Sequence, residues 1–275
     1  SPFLLVSLLL AGTSPLLAGA AFAVTCLIKP TAAVALPALF LGSAKKGWAR
    51  IAGAGGLVTV LVFLPYAFAG TLQTAVVHIV RIFSQERISG GYANPWWLLG
   101  QASLIQRDLA GLWDPIAYVG RDNFGLPLGP IGLVAASLVG GWILYQSRNI
   151  SRSGSVVYVG ALLLFVWGVV TVGVHDNHNH PLFILLMATG LATPFLRTFT
   201  ACAATSTLLG SICLHGLGRF YGTQWKAVLP LADSVARFRM GGGFDVTMVL
   251  ALVNSLLLAV ALYRLKKTLR ELETG

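Results

Sequence analysis

Residues 155–174 read Ser-Val-Val-Tyr-Val-Gly-Ala-Leu-Leu-Leu-Phe-Val-Trp-Gly-Val-Val-Thr-Val-Gly-Val, and directly after them come His175-Asp176-Asn177-His178-Asn179-His180. The first run carries no charge. A helix of about 20 apolar residues is what crosses the hydrocarbon core of a bilayer. An apolar run that stops at a polar turn describes a membrane span and its exit.

Working outward, runs of similar length and character recur at Ile51–Ala69, Leu128–Ser147, Pro181–Arg197, Thr198–His215 and Val246–Tyr263. Two shorter runs, Pro15–Ile28 and Thr31–Ala44, flank Lys29-Pro30. Proline ends or kinks a helix, so they read as a tight pair meeting at one membrane face. The first run, Ser1–Gly12, is too short to span and lacks the basic flank of a signal peptide; it reads as the stump of a longer helix. The expected fold is all-α, a polytopic transmembrane helix bundle of about eight segments by span length. Residues 1–275 would form a single transmembrane domain, a fragment without its N-terminal helices and first outer loop. Composition agrees: 56% of the 275 residues are hydrophobic and 10% are charged, with mean hydropathy +0.79. A soluble domain of this size typically carries about 25% charged residues.

The net charge of +10 raises the question of nucleic acid. The basic residues are scattered over connections and form no stripe with stacking aromatics, so nucleic acid is not an expected partner. Alternating the connections across the membrane puts Lys45, Lys46, Arg50, Arg148, Arg152, Arg197, Arg264, Lys266, Lys267 and Arg270 on one side. The remaining basic residues and most acidic ones fall on the other, in long loops. Short loops near helix ends decide orientation, and they make the first side cytoplasmic in a multi-pass protein of the cell membrane.

The outer face then holds Gly70–Pro127, the His175–His180 turn and Gly216–Asp245. Leu72, Ala75, Val76, Ile79 and Phe83 share one helical face opposite Thr74, His78, Arg81 and Gln85, the pattern of a helix lying in the headgroup layer. Trp225, Val228, Leu229, Ala232 and Val235 repeat it, and Gly241–Gly243 reads as a flexible break.

Polar groups at membrane depth tend to carry function. The imidazoles and carboxylate of His175, Asp176 and His178 could hold a phosphate and sugar, relay a proton or bind a divalent metal; the alternative is a turn that only needs to be wet. No metal or other cofactor is expected, because zinc sites draw ligands from several elements. Lys29 either meets an anionic lipid phosphate or snorkels to the interface. Tyr92-Ala93-Asn94-Pro95-Trp96-Trp97 is either an interfacial aromatic belt or the wall of a sugar or isoprenoid site. Arg81 and Arg87 either pair with a phosphate or contact headgroups. Cys26, Cys202 and Cys213 lie within apolar runs and read as packing residues. No P-loop, GxSxG, CxxC or HExxH motif is present.

Three stretches together resemble the C-terminal half of polytopic glycosyltransferases that use a polyprenyl-phosphate sugar donor, of the GT-C, mannosyltransferase-like type. Cys26-Leu27-Ile28-Lys29-Pro30-Thr31 is similar to that family's Thr-Lys-Pro-like turn, Asn94-Pro95-Trp96-Trp97 to its Asn-Xaa-Trp-Trp-like element, and Gly173-Val174-His175-Asp176 to its Gly-Val/Met-His-Glu-like turn. Pro95 and Asp176 depart from the pattern. The resemblance implies transfer of a hexose, plausibly mannose, from a polyprenyl-phosphate-linked sugar to a glycan, lipid or protein acceptor on the outer face, in contact with membrane lipids. It implies donor binding by His175, Asp176, His178, Lys29, Arg81, Asn94, Trp96 and Trp97, and a catalytic acidic residue upstream of Ser1. The rival expectation is a transporter or lipid flippase that makes no bond; such proteins show charged or broken helices at the midplane.

Overall fold

The computed structural model describes residues 2–83, 93–99, 127–172, 180–215, 239–240 and 244–275. Helix α1 (Pro2–Leu10) turns into α2 (Pro15–Ile28), which starts with proline in its first turn, where a missing N–H costs nothing. α2 stops at Lys29, whose backbone is extended at φ −140° and ψ 90°. The residue before a proline is pushed out of the helical region, and Pro30 follows. The chain returns through a 3-10 helix (Pro30–Ala35) and a short α3 (Leu36–Leu41). The second member of the expected pair, Thr31–Ala44, is thus divided into a 3-10 helix and a short α-helix.

Helix α4 (Lys45–Phe68) runs 24 residues. It ends where Gly70 adopts φ +69°. The Gly70 N–H donates to Ala67 O and the Thr71 N–H to Tyr66 O, the paired bonds that close a helix on a left-handed glycine. The reversal starts α5 (Leu72–Phe83), the amphipathic helix expected from the sequence. Next come α6 (Leu128–Gln146), α7 (Ser153–Val170), α8 (His180–Thr189), α9 (Pro194–His215) and α10 (Val246–Thr274). A small antiparallel pair, β1 (Arg239–Met240) with β2 (Phe244–Asp245), brackets the glycines expected to be a loose break.

Helix α7 is the axis of the bundle. Nearly every residue from Ser155 to Val169 is buried, among α1, the 3-10 helix and α3, α6, α8 and α10. Small residues let these helices approach, as expected where lipid supplies no hydrophobic drive between them. A Cβ at Gly160 would stand 2.8 Å from Leu8 and 3.5 Å from Leu185. On the flank, α2 and α4 run side by side so closely that a Cβ on Gly19 would collide with the Ile51 backbone. The far side of α4 is bare, with Leu57, Leu61 and Phe68 exposed. Such surface is untenable in water and ordinary in lipid.

Among the described residues, four helices (α4, α6, α7 and α10) are long and apolar enough to cross a membrane. The chain is an all-α bundle of membrane-spanning type. Two expected spans are corrected. The break placed at Arg197 falls instead at residues 190–193, where Thr193 Oγ1 caps the Leu196 N–H and Pro194 opens α9. That leaves α8 with ten residues, about 15 Å and too short to span. The last helix does not stop at Tyr263. It continues through its basic segment to Thr274, because Leu265, Leu269 and Leu272 stay buried.

Candidate functional site

The two ends of the bundle are chemically distinct. At one end Gly42 lies against Val156, Arg264 against Phe195 and Glu273 against Ser151. Lys45, Lys46, Arg148, Arg152, Arg197, Lys266, Lys267 and Arg270 all belong to this basic end. At the other end lie Lys29, Gly70, the 93–99 segment, the start of α6 and the end of α7. Trp96 and Lys29 are thus opposite Lys45 and Arg148, as the alternation of short basic loops required.

The Asn94–Trp97 segment is built around the C-terminus of α7. The last ladder bond there runs from Thr171 N–H to Trp167 O, and Thr171 is extended at ψ 144°. A helix end leaves four carbonyls unpaired. The Asn94 side-chain amide donates to Gly168 O at 3.1 Å, and the Trp96 indole N–H to Val170 O at 2.8 Å. The Trp97 indole N–H donates to Thr247 Oγ1 at 2.7 Å on α10, and the Asn254 amide to Ala93 O at 2.8 Å. Asn94 is fully buried and Trp97 nearly so, while Trp96 is half-buried. These residues, expected as donor contacts, spend their polar atoms fastening α7 to α10; of the three, only Trp96 retains substantial open surface.

The opposite end of α7 is held from afar as well, by a residue that sequence reading passed over. Glu273 accepts from the Ser151 and Arg152 N–H groups at 3.1–3.2 Å and from Ser151 Oγ at 2.7 Å. A carboxylate beside the first N–H groups of a helix meets the positive end of its dipole. Glu273 lies in the polar extension beyond the apolar part of α10. Partial burial pushes its pKa up, but the nearby Ser155 hydroxyl and the hydrogen bonds from Ser151 and Arg152 outweigh that and hold it below the usual carboxylate range.

α8 does not reach as far toward the Lys29 end of the bundle as α7 does. Leu185 meets Gly160. From there α7 continues ten residues to Val170, about 15 Å, whereas α8 reaches back only five residues to His180, about 7.5 Å, at 1.5 Å per residue. The start of α8 is therefore recessed by about 7 Å below the end of α7. His175, Asp176 and His178 lie outside the described residues. The Arg81 backbone is part of α5, and its side chain also lies outside them.

Lys29 is half-buried at the top of the 3-10 helix. Val34 on that helix and Pro37 on α3, with Gly140, Gly141, Val166 and Trp167, line an apolar groove of about 240 Å³ on the flank. Among the described residues, no group of three or more His, Cys, Asp or Glu side chains gathers to hold a metal ion. No known family, no curated protein and no solved structure matches this chain.

Proposed function

We propose that the chain is part of a multi-pass glycosyltransferase of the cell membrane, which transfers a hexose from a polyprenyl-phosphate donor to an acceptor on the outer face. The observation that carries the reading is the recess at the end of α7. A span capped by Asn94 and Trp96 is followed, five residues after Val170, by His175 and Asp176, and the next helix begins at His180, short of the level that α7 reaches by helix rise. A ligand site gathers a few polar groups in a concave, largely apolar setting. In this reading His175 and His178 contact the donor phosphate or sugar, and Asp176 orients an imidazole. Lys29 supplies charge to the phosphate, with Arg81 as a further cation. The groove beneath Lys29 takes the isoprenoid chain, and Trp96 borders the access route.

Chemically, the acceptor hydroxyl attacks the anomeric carbon as the polyprenyl phosphate departs. A donor fixed beside that phosphate stabilises charge as it builds there. The described charged side chains sit at the two ends of the bundle and leave its middle apolar, which favours interfacial chemistry over a transport path. The test measures sugar transfer from a polyprenyl-phosphate donor in membranes carrying equal amounts of full-length protein. His175→Ala and Asp176→Asn are expected to lower the rate by on the order of 100-fold, the usual cost of one preorganised donor, with insertion unchanged. Wild-type rates from both would remove the turn from the mechanism. Transport of the lipid without sugar transfer would select the flippase reading.

A further inference from the structure

The groove on the flank exists because one of its walls lacks side chains. On α6 it is bordered by Leu133, Ala136, Ser137, Gly140, Gly141 and Leu144. A Cβ on Gly141 would meet nothing within 4 Å, so the adjacent glycines leave the space open. The Ser137 hydroxyl donates to Leu133 O at 2.8 Å within its own helix. Leu133 and Gly141 are exposed, so the groove opens sideways along the apolar flank. An apolar cavity of about 150 Å³ accepts a six-carbon ring. In proportion, about 240 Å³ takes roughly ten carbons of an alkyl chain.

The level of the groove selects a leaflet. Helix α6 has 19 residues, about 28 Å, close to the hydrocarbon thickness of about 30 Å. The groove starts at Leu144, two residues before the basic end of the helix, and stops at Leu133, five residues short of Leu128. It thus covers about 16 Å counted from the basic rim, the depth of one leaflet. Gly141, Leu144, Tyr145 and Arg148 follow at i, i+3, i+4 and i+7, along one helical face. The Arg148 guanidinium carbon stands 4.1 Å from the centre of the Tyr145 ring, which is 61% exposed. That contact holds a cation at headgroup level beside the groove without neutralising it. Lys266 lies within electrostatic reach of the same tyrosine. Among the described residues, no carboxylate pairs with Arg148. Lys29 is farther from the groove. Val34 lies five residues along the 3-10 helix from it, about 10 Å, against one turn, about 6 Å, between Leu144 and Arg148.

We propose that the groove between α3, α6 and α7 holds one chain of an anionic phospholipid from the leaflet at the basic end, with the headgroup phosphate against Arg148 and Lys266. The apolar wall takes the chain, and the paired cations at its mouth favour a headgroup of net negative charge. The inference does not rest on the sugar-transfer reading. The groove has room for one chain, so such a lipid would compete there with an isoprenoid.

The test uses the purified chain in uncharged detergent and follows lipid retention by native mass spectrometry and unfolding by helicity. The probes are dioleoyl phosphatidylglycerol, dioleoyl phosphatidylcholine and glycerophosphoglycerol, a headgroup without chains. Phosphatidylglycerol is expected to be retained roughly fivefold better than phosphatidylcholine, the weight of one basic residue near a charged headgroup, and the chain-free headgroup not at all. Arg148→Gln should equalise the two dioleoyl lipids, and Arg148→Lys should keep the preference. Gly141→Leu fills the groove and should weaken retention of both lipids more than about tenfold, because several methylenes lose their burial. It should unfold no earlier than wild type without lipid, since nothing stands in the way of the new side chain. Ser137→Leu fills the same groove from the next turn and gives the same reading if Gly141→Leu proves unstable. Any of four results overturns the proposal: phosphatidylcholine retained as well as phosphatidylglycerol, the chain-free headgroup retained equally, Arg148→Gln keeping the preference, or a folded groove-filling variant retaining lipid like wild type.

Discussion

Replacing Asn94 by Leu tests whether the Asn-Pro-Trp-Trp element is a fastener. The side chain is fully buried and makes two hydrogen bonds, to Gly168 O at 3.1 Å and from Trp97 N–H at 3.0 Å. They are not equal. The Trp97 N–H also reaches the Asn94 backbone carbonyl at 2.9 Å, so losing the side-chain acceptor costs little. Gly168 O has no such reserve, because the chain leaves the helical path at Thr171. Leaving a buried carbonyl unpaired costs about 1–3 kcal/mol, and hydrogen bonds between membrane helices fall toward the lower end, about 0.6 kcal/mol on average. Full burial of the site argues for the middle, about 2 kcal/mol, or roughly a thirtyfold shift in the unfolding constant. Leucine keeps the volume and adds no cavity, so the effect reports the hydrogen bond. The assay is equilibrium unfolding in mixed micelles, followed by helicity. A change below about 0.5 kcal/mol would refute the capping argument. Unchanged stability with lost sugar transfer would instead make Asn94 a ligand group.

Trp96→Phe should cost about 1 kcal/mol in the same assay, since one half-buried indole bond to Val170 O is lost. Glu273 bears on pH. Its folded pKa is depressed, so its contribution is present above the unfolded carboxylate value and fades as pH falls through the folded one. Glu273→Gln should flatten the acid limb of the stability profile and leave neutral pH less stable; parallel acid limbs would exclude the clamp. Gly19→Leu should separate α2 from α4 and lower the unfolding temperature by several degrees, as overpacking costs about 1–3 kcal/mol; an unchanged midpoint would contradict the close crossing. Cysteines introduced at the exposed Lys46 and Thr71 should react with an impermeant reagent from opposite sides of the membrane, and labelling of both from one side would refute their placement at opposite ends.

Much of the architecture was readable from local pattern. Gly70 and the Lys29-Pro30 step mark two chain reversals because their backbone preferences act within a residue or two. The Leu72–Phe83 stripe specified an amphipathic helix for the same local reason. The break at Gly190–Thr193 was misplaced at Arg197, since a charge is more conspicuous than a threonine cap. The extension of α10 was missed because Arg264, Lys266, Lys267 and Arg270 disguise a continuing row of buried leucines, which keeps its period only against a partner. The Asn-Pro-Trp-Trp element was legible as unusual, but its use was not.

What the sequence alone determined is set by the bilayer. Lipid tolerates only helices with internally paired backbones, so hydropathy along the chain suffices to locate spans, and the placement of lysines and arginines separates one end from the other. What the tertiary structure decided is how the central span is terminated. Its carbonyls are met by Asn94 and Trp96, each 74 positions from its acceptor, and its first N–H groups by Glu273, 121–122 positions away. No local propensity encodes such partners. A side-chain amide or carboxylate is equally content with water or with any helix end, and only packing of the remaining helices brings one particular end within 3 Å.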